Sequence, residues 1–341
     1  MSKDFRVAIV GATGLVGETM VKVLEERHFP VSELHLLASS RSVGKRVEYK
    51  GSTLPVRELA HFDFGKVDIA LFSPGAEVSR EYAPQAASAG CIVIDNTSEF
   101  RYYDDVPLIV PEVNPHAIVH YKNRRIIANP NCSTIQLVVA LKPIHDAVGI
   151  ERINVATYQS VSGAGREAIE ELAQQSITLL SGKGPVEAYV IPKQIAFNCV
   201  PQIDRFEDNG FTREEMKVMW ETRKIFEDPA MRINVTAVRV PVFYGHSEAV
   251  SIETRTKITP EEARALLEKA PGIEVMDERR PGGYPTAATE AANRDTVYVG
   301  RIRQDASTER GLNLWVVADN VRKGAATNSI QIAELLAQQP I

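Results

Sequence analysis

Cys132 lies in the stretch IIANPNCSTIQLVVALKPI, after a short apolar run and at the head of a long one. The long run reads as a helix buried nearly all round, with Pro143 in its second half, and Asn131 or Ser133 can cap its start. A thiol at a helix N-terminus feels the positive end of the macrodipole, which favours the thiolate. Backbone N–H groups there can also hold a developing oxyanion. A buried structural cysteine is the rival local reading, because free cysteines are commonly core residues. The other two cysteines have plainer surroundings. Cys91 opens the apolar strand CIVID and reads as core, and Cys199 in FNCVPQID has neither a basic neighbour nor a helix start. Three widely spaced cysteines suggest neither a disulfide framework nor a zinc site, and the seven histidines form no HExxH pair, so no metal is expected.

A second chemical motif opens the chain. In VAIVGATGLVGETM, Gly11, Gly14 and Gly17 separate a strand from a helix. Such a loop makes a tight turn, lets a ligand approach the backbone and exposes helix N–H groups to a pyrophosphate. The spacing is GxxGxxG rather than GxGxxG, and its place between strand and helix strengthens the reading. An NAD site usually carries an acid after the second strand, for the ribose 2′-hydroxyl. Here ASSRSVGKR offers Ser39, Ser40, Arg41 and Ser42 and no acid. Arg41 suits a 2′-phosphate, which favours NADP over NAD.

These motifs need elements to hold them. FRVAIVGA, ELHLLAS, DIALFS, CIVIDNT and RRIIAN read as apolar strands separated by segments such as the amphipathic helix GETMVKVLEER. That order is the signature of a Rossmann-like, doubly wound parallel α/β sheet covered on both faces. After about residue 150 the pattern changes. ERINVATYQSV, VTAVRVPVF and EAVSIETRTKI are longer strands with polar alternation, as in a sheet with one face on a core. Ala249, Ser251, Glu253 and Arg255 alternate with Val250, Ile252, Thr254 and Thr256. Helical stretches fall at 167–180, 212–226 and 260–270, which makes this part α+β. The chain closes with a strand, a turn and a helix in NLWVVADNVRKGAATNSIQIAELLAQQ, where Gly324, Ala325 and Ala326 permit close approach.

Size and charge bound the rest. At 341 residues the chain suits two domains. A net charge of −5 implies no basic face, which argues against nucleic acid. No apolar run reaches membrane-spanning length, and the N-terminus lacks a signal peptide's apolar region and cleavage site. The sequence reads as cytoplasmic, with no membrane partner.

The chain resembles the aspartate-semialdehyde dehydrogenase family. GATGLVG, NPNCST, TYQSVSGAG, RVPVFYGHSE and ADNVRKGAA carry the resemblance, in that order and over essentially the whole length. The resemblance implies an NADP-binding domain over 1–131 completed by a C-terminal segment over 320–341, and a catalytic and dimerisation domain over 132–319. It implies reductive dephosphorylation of L-aspartyl 4-phosphate to L-aspartate 4-semialdehyde and phosphate, in lysine, threonine, methionine and diaminopimelate biosynthesis. Cys132 matches the nucleophile, which adds to the aldehyde and, after hydride passes to NADP, holds an acyl-thioester that phosphate attacks. His246 matches the acid/base residue and Gln159 the residue that orients substrate beside the thiol. Arg239, flanked by valines in AVRVPV, matches the arginine that grips the substrate α-carboxylate. Arg101 and Lys217 match phosphate contacts. Glu215 is matched to the substrate ammonium, with the adjacent Glu214 left as its alternative. Gly11, Thr13, Gly14, Leu15, Val16 and Gly17, with Ser39, Arg41 and Ser42, fall on the cofactor, and Ser162, Gly163 and Asn320 on its nicotinamide side. The family also implies a homodimer, or a dimer of such dimers. Two other readings compete: reduction of a related acyl phosphate such as N-acetyl-glutamyl phosphate, and a nucleotide sensor without turnover. Arg239 discriminates against the first, and the joint presence of Cys132, Gln159, Arg239 and His246 argues against the second.

Overall fold

A computed structural model describes the protein from Asp4 to Gln339. The chain divides into two compact units, Met1–Asn131 with Ala325–Ile341, and Cys132–Gly324. The return segment thus begins five residues later than the sequence reading places it, and Asn320 belongs to the second unit.

The first unit runs β1 (Phe5–Val10), α1 (Leu15–Glu26), β2 (Val31–Ala38), β3 (Arg46–Tyr49), β4 (Ser52–Glu58), β5 (Ile69–Phe72), α2 (Ala76–Ser88), β6 (Ile92–Asp95) and β7 (Ile126–Ala128). The second unit follows with α3 (Cys132–Val148), β8 (Ile150–Gln159), α4 (Arg166–Leu180), α5 (Arg213–Ile225), β9 (Arg232–Arg239), β10 (His246–Thr254), α6 (Pro260–Leu267), β11 (Ile273–Val275), β12 (Val297–Gln304) and β13 (Gly311–Ala318). The chain then returns to the first unit with α7 (Thr327–Ala337).

The first sheet has seven strands in the order β3-β4-β2-β1-β5-β6-β7. All neighbours pair parallel except β3 with β4. Strand order reverses between β1 and β5, so a crevice opens there beyond the strand ends, where doubly wound sheets bind their ligands. The central strands are apolar because both faces are covered. Val7 and Ile9 of β1, Met20 and Leu24 of α1, and Ile330, Ala333 and Leu336 of α7 share one core. Glu334 of α7 also pairs with Arg27 at 2.7 Å. The β3–β4 hairpin is an element the sequence reading did not assign. Lys50 and Gly51 both take positive φ, 49° and 72°, as a two-residue hairpin turn of right-handed strands requires.

The second sheet is mixed, with six strands in the order β11-β12-β13-β10-β8-β9. α3 packs on it against β8, β10, β12 and β13, and its residues are buried from Ser133 to Leu141 without a break. Along β10 the alternation seen in sequence becomes a two-faced strand: Val250, Ile252 and Thr254 are buried, while Ala249, Ser251 and Glu253 are half-buried. β8 and β9 run parallel, with Gln159 beside Arg239 at their ends. β10 runs antiparallel to β8 and β13, so its first residue, His246, pairs with Ala318, the last of β13. Four strand termini therefore meet at one end of the sheet. Two strands here, β11 and β12, were not foreseen in sequence.

Candidate active site

At that end of the second sheet, parallel register places Gln159 and Arg239 side by side. Arg239 is buried, and its Nη1 donates to the Ser160 carbonyl at 2.8 Å. Burial lowers the Arg239 pKa, while the charges of Glu214 and Cys132 work the other way. Gln159 Nε2 donates to Glu214 Oε1 at 3.1 Å and to Thr157 Oγ1 at 3.3 Å. Lys217 Nζ donates to Glu214 Oε2 at 3.2 Å and to Asp204 Oδ2 at 2.8 Å. Glu214 thus joins the oriented amide to the lysine.

Glu215, matched in sequence to a substrate ammonium, has backbone partners in the structure. Glu215 closes a capping box on α5: it takes the Thr212 N–H at 2.6 Å, and its own N–H reaches Thr212 Oγ1 at 3.4 Å. Its second oxygen accepts the Ala237 N–H at 3.0 Å. With both oxygens committed to backbone, Glu215 anchors the helix to β9, and its neighbour Glu214 faces the site instead. The signal was legible, because T-x-x-E before an apolar helix is a capping signature.

His246 has no solvent exposure. Its Nδ1 accepts the Ser160 N–H at 3.1 Å, whereas Nε2 has no hydrogen-bond partner among the described residues. Burial, then the Arg239 charge, push its pKa down to about 3, with Glu214 opposing. Around it lies a network that sequence reasoning did not anticipate. Asn320 Oδ1 accepts the Ser160 hydroxyl at 3.1 Å, the Ser162 hydroxyl at 3.1 Å and the Gly245 N–H at 2.9 Å. Asn320 Nδ2 donates back to Ser162 Oγ at 3.0 Å. Ser162 and Asn320, matched in sequence to the cofactor, therefore spend these contacts on one another and on the strand ends that carry His246.

Gly163 completes the arrangement by lacking a side chain. A Cβ there would lie 2.9 Å from Arg239 Nη1 and 3.2 Å from His246 Nε2. The guanidinium and the imidazole edge thus converge on the face of a bare glycine.

Cys132 is the first residue of α3 and half-buried, unlike Cys91, which is buried and whose thiol burial pushes up to about 12. One turn along α3, Gln136 Nε2 donates to the His246 carbonyl at 3.4 Å, tying the helix that Cys132 opens to the start of β10. Gly324 packs so closely that a Cβ there would lie 2.8 Å from the Cys132 Cβ.

The remaining expected residues belong to the first unit. Gly11 takes φ of +86°, and a Cβ would meet the Ser73 carbonyl oxygen at 2.8 Å. A Cβ on Gly17 would meet the Gly11 oxygen at 2.2 Å, so this glycine lets α1 close on the loop. Gly14 begins α1 with no side chain over its N–H groups, and Leu15 and Val16 form the first turn. A cleft of about 570 Å³ opens here, lined by Gly11, Thr13, Gly14, Ser39, Arg41 and Ser42. Thr13 and Ser42 join their hydroxyls at 3.1 Å across it. Bare backbone, an open helix start and a polar cleft at the strand-order reversal fit a dinucleotide. Glu58, from the end of β4, also lines the cleft, and sequence reasoning missed it with the hairpin. Arg101 is buried in this unit, donating through Nη2 to the Asn96 carbonyl at 2.8 Å.

A family model described as semialdehyde dehydrogenase, NAD binding domain, matches residues 6–121, and one described as semialdehyde dehydrogenase, dimerisation domain, matches residues 141–323. An aspartate-semialdehyde dehydrogenase of Legionella pneumophila is 62% identical over 99% of this chain and 97% of its own. The chain belongs to the aspartate-semialdehyde dehydrogenase family. A solved Vibrio cholerae member, described as aspartate semialdehyde dehydrogenase II complexed with ASA, is 60% identical and superposes with a TM-score of 0.98 over 100% of both chains. A Candida albicans aspartate semialdehyde dehydrogenase with NADP is 27% identical, with a TM-score of 0.75 over 98% of both chains. As a member of the aspartate-semialdehyde dehydrogenases, the chain is a nicotinamide-linked oxidoreductase acting on an aldehyde group, in amino-acid biosynthesis. Among the described residues, no helix is long and apolar enough to cross a membrane.

Proposed function

We propose that the chain carries out reversible, NADP-dependent reductive dephosphorylation of L-aspartyl 4-phosphate to L-aspartate 4-semialdehyde and phosphate, through an acyl-thioester on Cys132. The convergence of the Arg239 guanidinium and His246 Nε2 on the face of Gly163 carries this reading. A planar cation next to a neutral donor suits a substrate with a carboxylate at one end and a reacting carbonyl at the other.

Cys132, at the positive end of α3, attacks the carbonyl carbon. Gln159 orients the substrate, and Glu214 takes its free ammonium, a pairing that an N-acetylated substrate cannot make. His246 faces the carbonyl oxygen. Lys217 and Arg101 are the cations assigned to the phosphoryl group. Thr13, the glycine loop, Ser39 and Ser42 hold the dinucleotide, and Arg41 binds its 2′-phosphate. When bound, the nicotinamide supplies or accepts the hydride. The second unit also forms a homodimer, consistent with the dimerisation-domain model that matches it.

The deciding assay follows NADPH formed from aspartate semialdehyde, with and without phosphate, and compares NADP with NAD. Turnover should require phosphate and prefer NADP. Cys132→Ala should abolish it while NADPH binding persists, and normal turnover by that variant would sink the proposal.

A further inference from the structure

In the first unit, β2 and β4 pair over only three residues, Leu36, Leu37 and Ala38 opposite Val56, Arg57 and Glu58. Both strands begin earlier, β2 at Val31 and β4 at Ser52. The cause is local. Val56 turns its backbone to the hairpin side, where its N–H reaches the Lys45 carbonyl at 2.9 Å and its carbonyl accepts the Gly44 N–H at 3.3 Å. Strand alternation then turns the backbone of Pro55 and Arg57 toward β2. Proline has no N–H to give, so the ladder stops at Pro55 and the rest of β4 pairs with β3 alone. Where β2 and β4 part, a slot of about 310 Å³ opens between them. On β2 the slot is lined by residues 31–36, whereas the nucleotide cleft takes Ala38, so the two lie at opposite ends of the strand.

Two buried polar atoms without a hydrogen-bond partner among the described residues belong to side chains that line this slot. They are His35 Nε2 and the Tyr49 hydroxyl, on side chains only 4% and 8% exposed. Buried polar groups of this kind cost stability unless something completes their hydrogen bonds. Charges flank them. Glu33, His35 and Leu37 share one face of β2, and register sets Arg57 beside Leu37 on that face. His35 thus lies between an exposed carboxylate and an exposed guanidinium, and both charges act on its ring. Glu33 Oε1 approaches His35 Nε2 to 3.3 Å without the geometry of a hydrogen bond. Arg6 and Lys66 add positive charge near the ring, with Arg6 committed to Asp68 at 2.9 Å. The other side of the slot is apolar, where Leu34 and Leu54 pack with Tyr49 against the core.

We propose that this slot is a binding site for a small α-amino acid with an apolar side chain. The carboxylate of the ligand meets Arg57, its ammonium meets Glu33, and its side chain enters between Leu34 and Leu54. His35 Nε2 and the Tyr49 hydroxyl supply the hydrogen bonds that they lack in the empty slot. The volume stands at the lower end of the range for ligand pockets, about 300–1,000 Å³, which admits an amino acid and excludes a dinucleotide. A phosphate dianion fits worse, because Glu33 repels it. A purely apolar molecule leaves both buried polar atoms unsatisfied. The site is separate from the chemistry at Cys132 and does not depend on it.

Isothermal titration calorimetry of the full chain with L-valine, L-leucine and L-methionine tests this. At least one of the three should bind saturably, and no binding by any of them up to about 10 mM overturns the proposal. For the amino acid that binds, its deaminated acid and its decarboxylated amine should each bind about tenfold more weakly or worse, since each loses one charge-assisted contact. Equal affinity of either half-ligand overturns the zwitterion reading. Arg57→Ala should weaken binding about tenfold or more, and Leu54→Trp, which fills the slot, should abolish it. Both variants should turn over aspartate semialdehyde at close to the parent rate. Arg57 is exposed, so Arg57→Ala decides the matter even if Leu54→Trp fails to fold. The second unit has its own candidate site for an amino acid, and Glu214→Gln separates the two. It should leave the titration unchanged. Binding that is unaffected by Arg57→Ala, or lost in Glu214→Gln, overturns the proposal.

Discussion

Glu214 accepts the Gln159 amide at 3.1 Å while its other oxygen takes Lys217 at 3.2 Å, so one buried carboxylate holds two functional side chains in place. Its neighbour Glu215 is spent on a helix cap. The two glutamates should therefore fail differently. Glu214→Gln should raise KM for the semialdehyde about tenfold, the scale of one charge-assisted hydrogen bond, with little change in Tm. Glu215→Ala should leave KM nearly unchanged and cost about 1–2 kcal/mol of stability, read by denaturant unfolding. The reverse pattern would return the ammonium site to Glu215.

Gly163→Ala tests the convergence of Arg239 and His246. Its backbone tolerates a side chain, since its φ lies outside the left-handed region, but the added methyl enters the space at 2.9 Å from the guanidinium. The variant should fold with a Tm close to that of the parent and lose on the order of 10²-fold in kcat/KM, as displacements of about 1 Å in active sites do. Circular dichroism and steady-state assays separate the two effects. Full activity would show that substrate does not approach this face.

Cofactor choice should reside in Arg41, which lines the nucleotide cleft between Ser39 and Ser42. Arg41→Ala should raise KM for NADP by about tenfold or more, through lost charge-assisted hydrogen bonds, and leave KM for NAD within about twofold. Equal losses for both cofactors would remove Arg41 from the 2′-phosphate.

Glu248 makes stability depend on pH. It is fully buried, neither oxygen meets a hydrogen-bond partner of good geometry among the described residues, and the Gln136 side chain opposes the effect of burial on its pKa. Burial holds its pKa well above the ordinary carboxylate value. The sign follows from linkage. The folded state keeps a proton that the unfolded chain gives up, so Glu248's stability contribution is complete below the unfolded pKa and is lost as pH rises toward the folded one. Glu248→Gln, neutral at every pH, should melt above the parent by a margin that grows between pH 5 and pH 8. A difference that is constant or shrinking over that range would mean the carboxyl is ionised in the native fold.

Much of this arrangement was readable along the chain. Period and apolar runs located β1, β2, β5, β6 and β8, and the cap residues around Cys132 placed it at a helix start, because those signals are local. The β3–β4 hairpin also carried a local signal in Lys50-Gly51, yet its short strands alternate charged and apolar residues at an edge and read as loop. The Ser160, Asn320 and His246 network had no signal of this kind. Its members lie 86 and 160 residues apart, and each alone is an ordinary polar residue at a strand end. Only the sheet register, which sets β8 and β13 on either side of β10, joins them.

The missing side chain at Gly324 has one more consequence. Cys132 and Gly324 are the first and last residues of the second unit, and they touch. A segment whose ends meet interrupts its host at a single point, as a loop insertion does. In topological terms the second unit is a cassette spliced into the nucleotide-binding chain, with Cys132 at the splice junction. Because Cys132 belongs to the insert, its sulfur and the side chains of Gln159, Arg239 and His246 travel as one piece, and the host chain closes over the gap between Asn131 and Ala325.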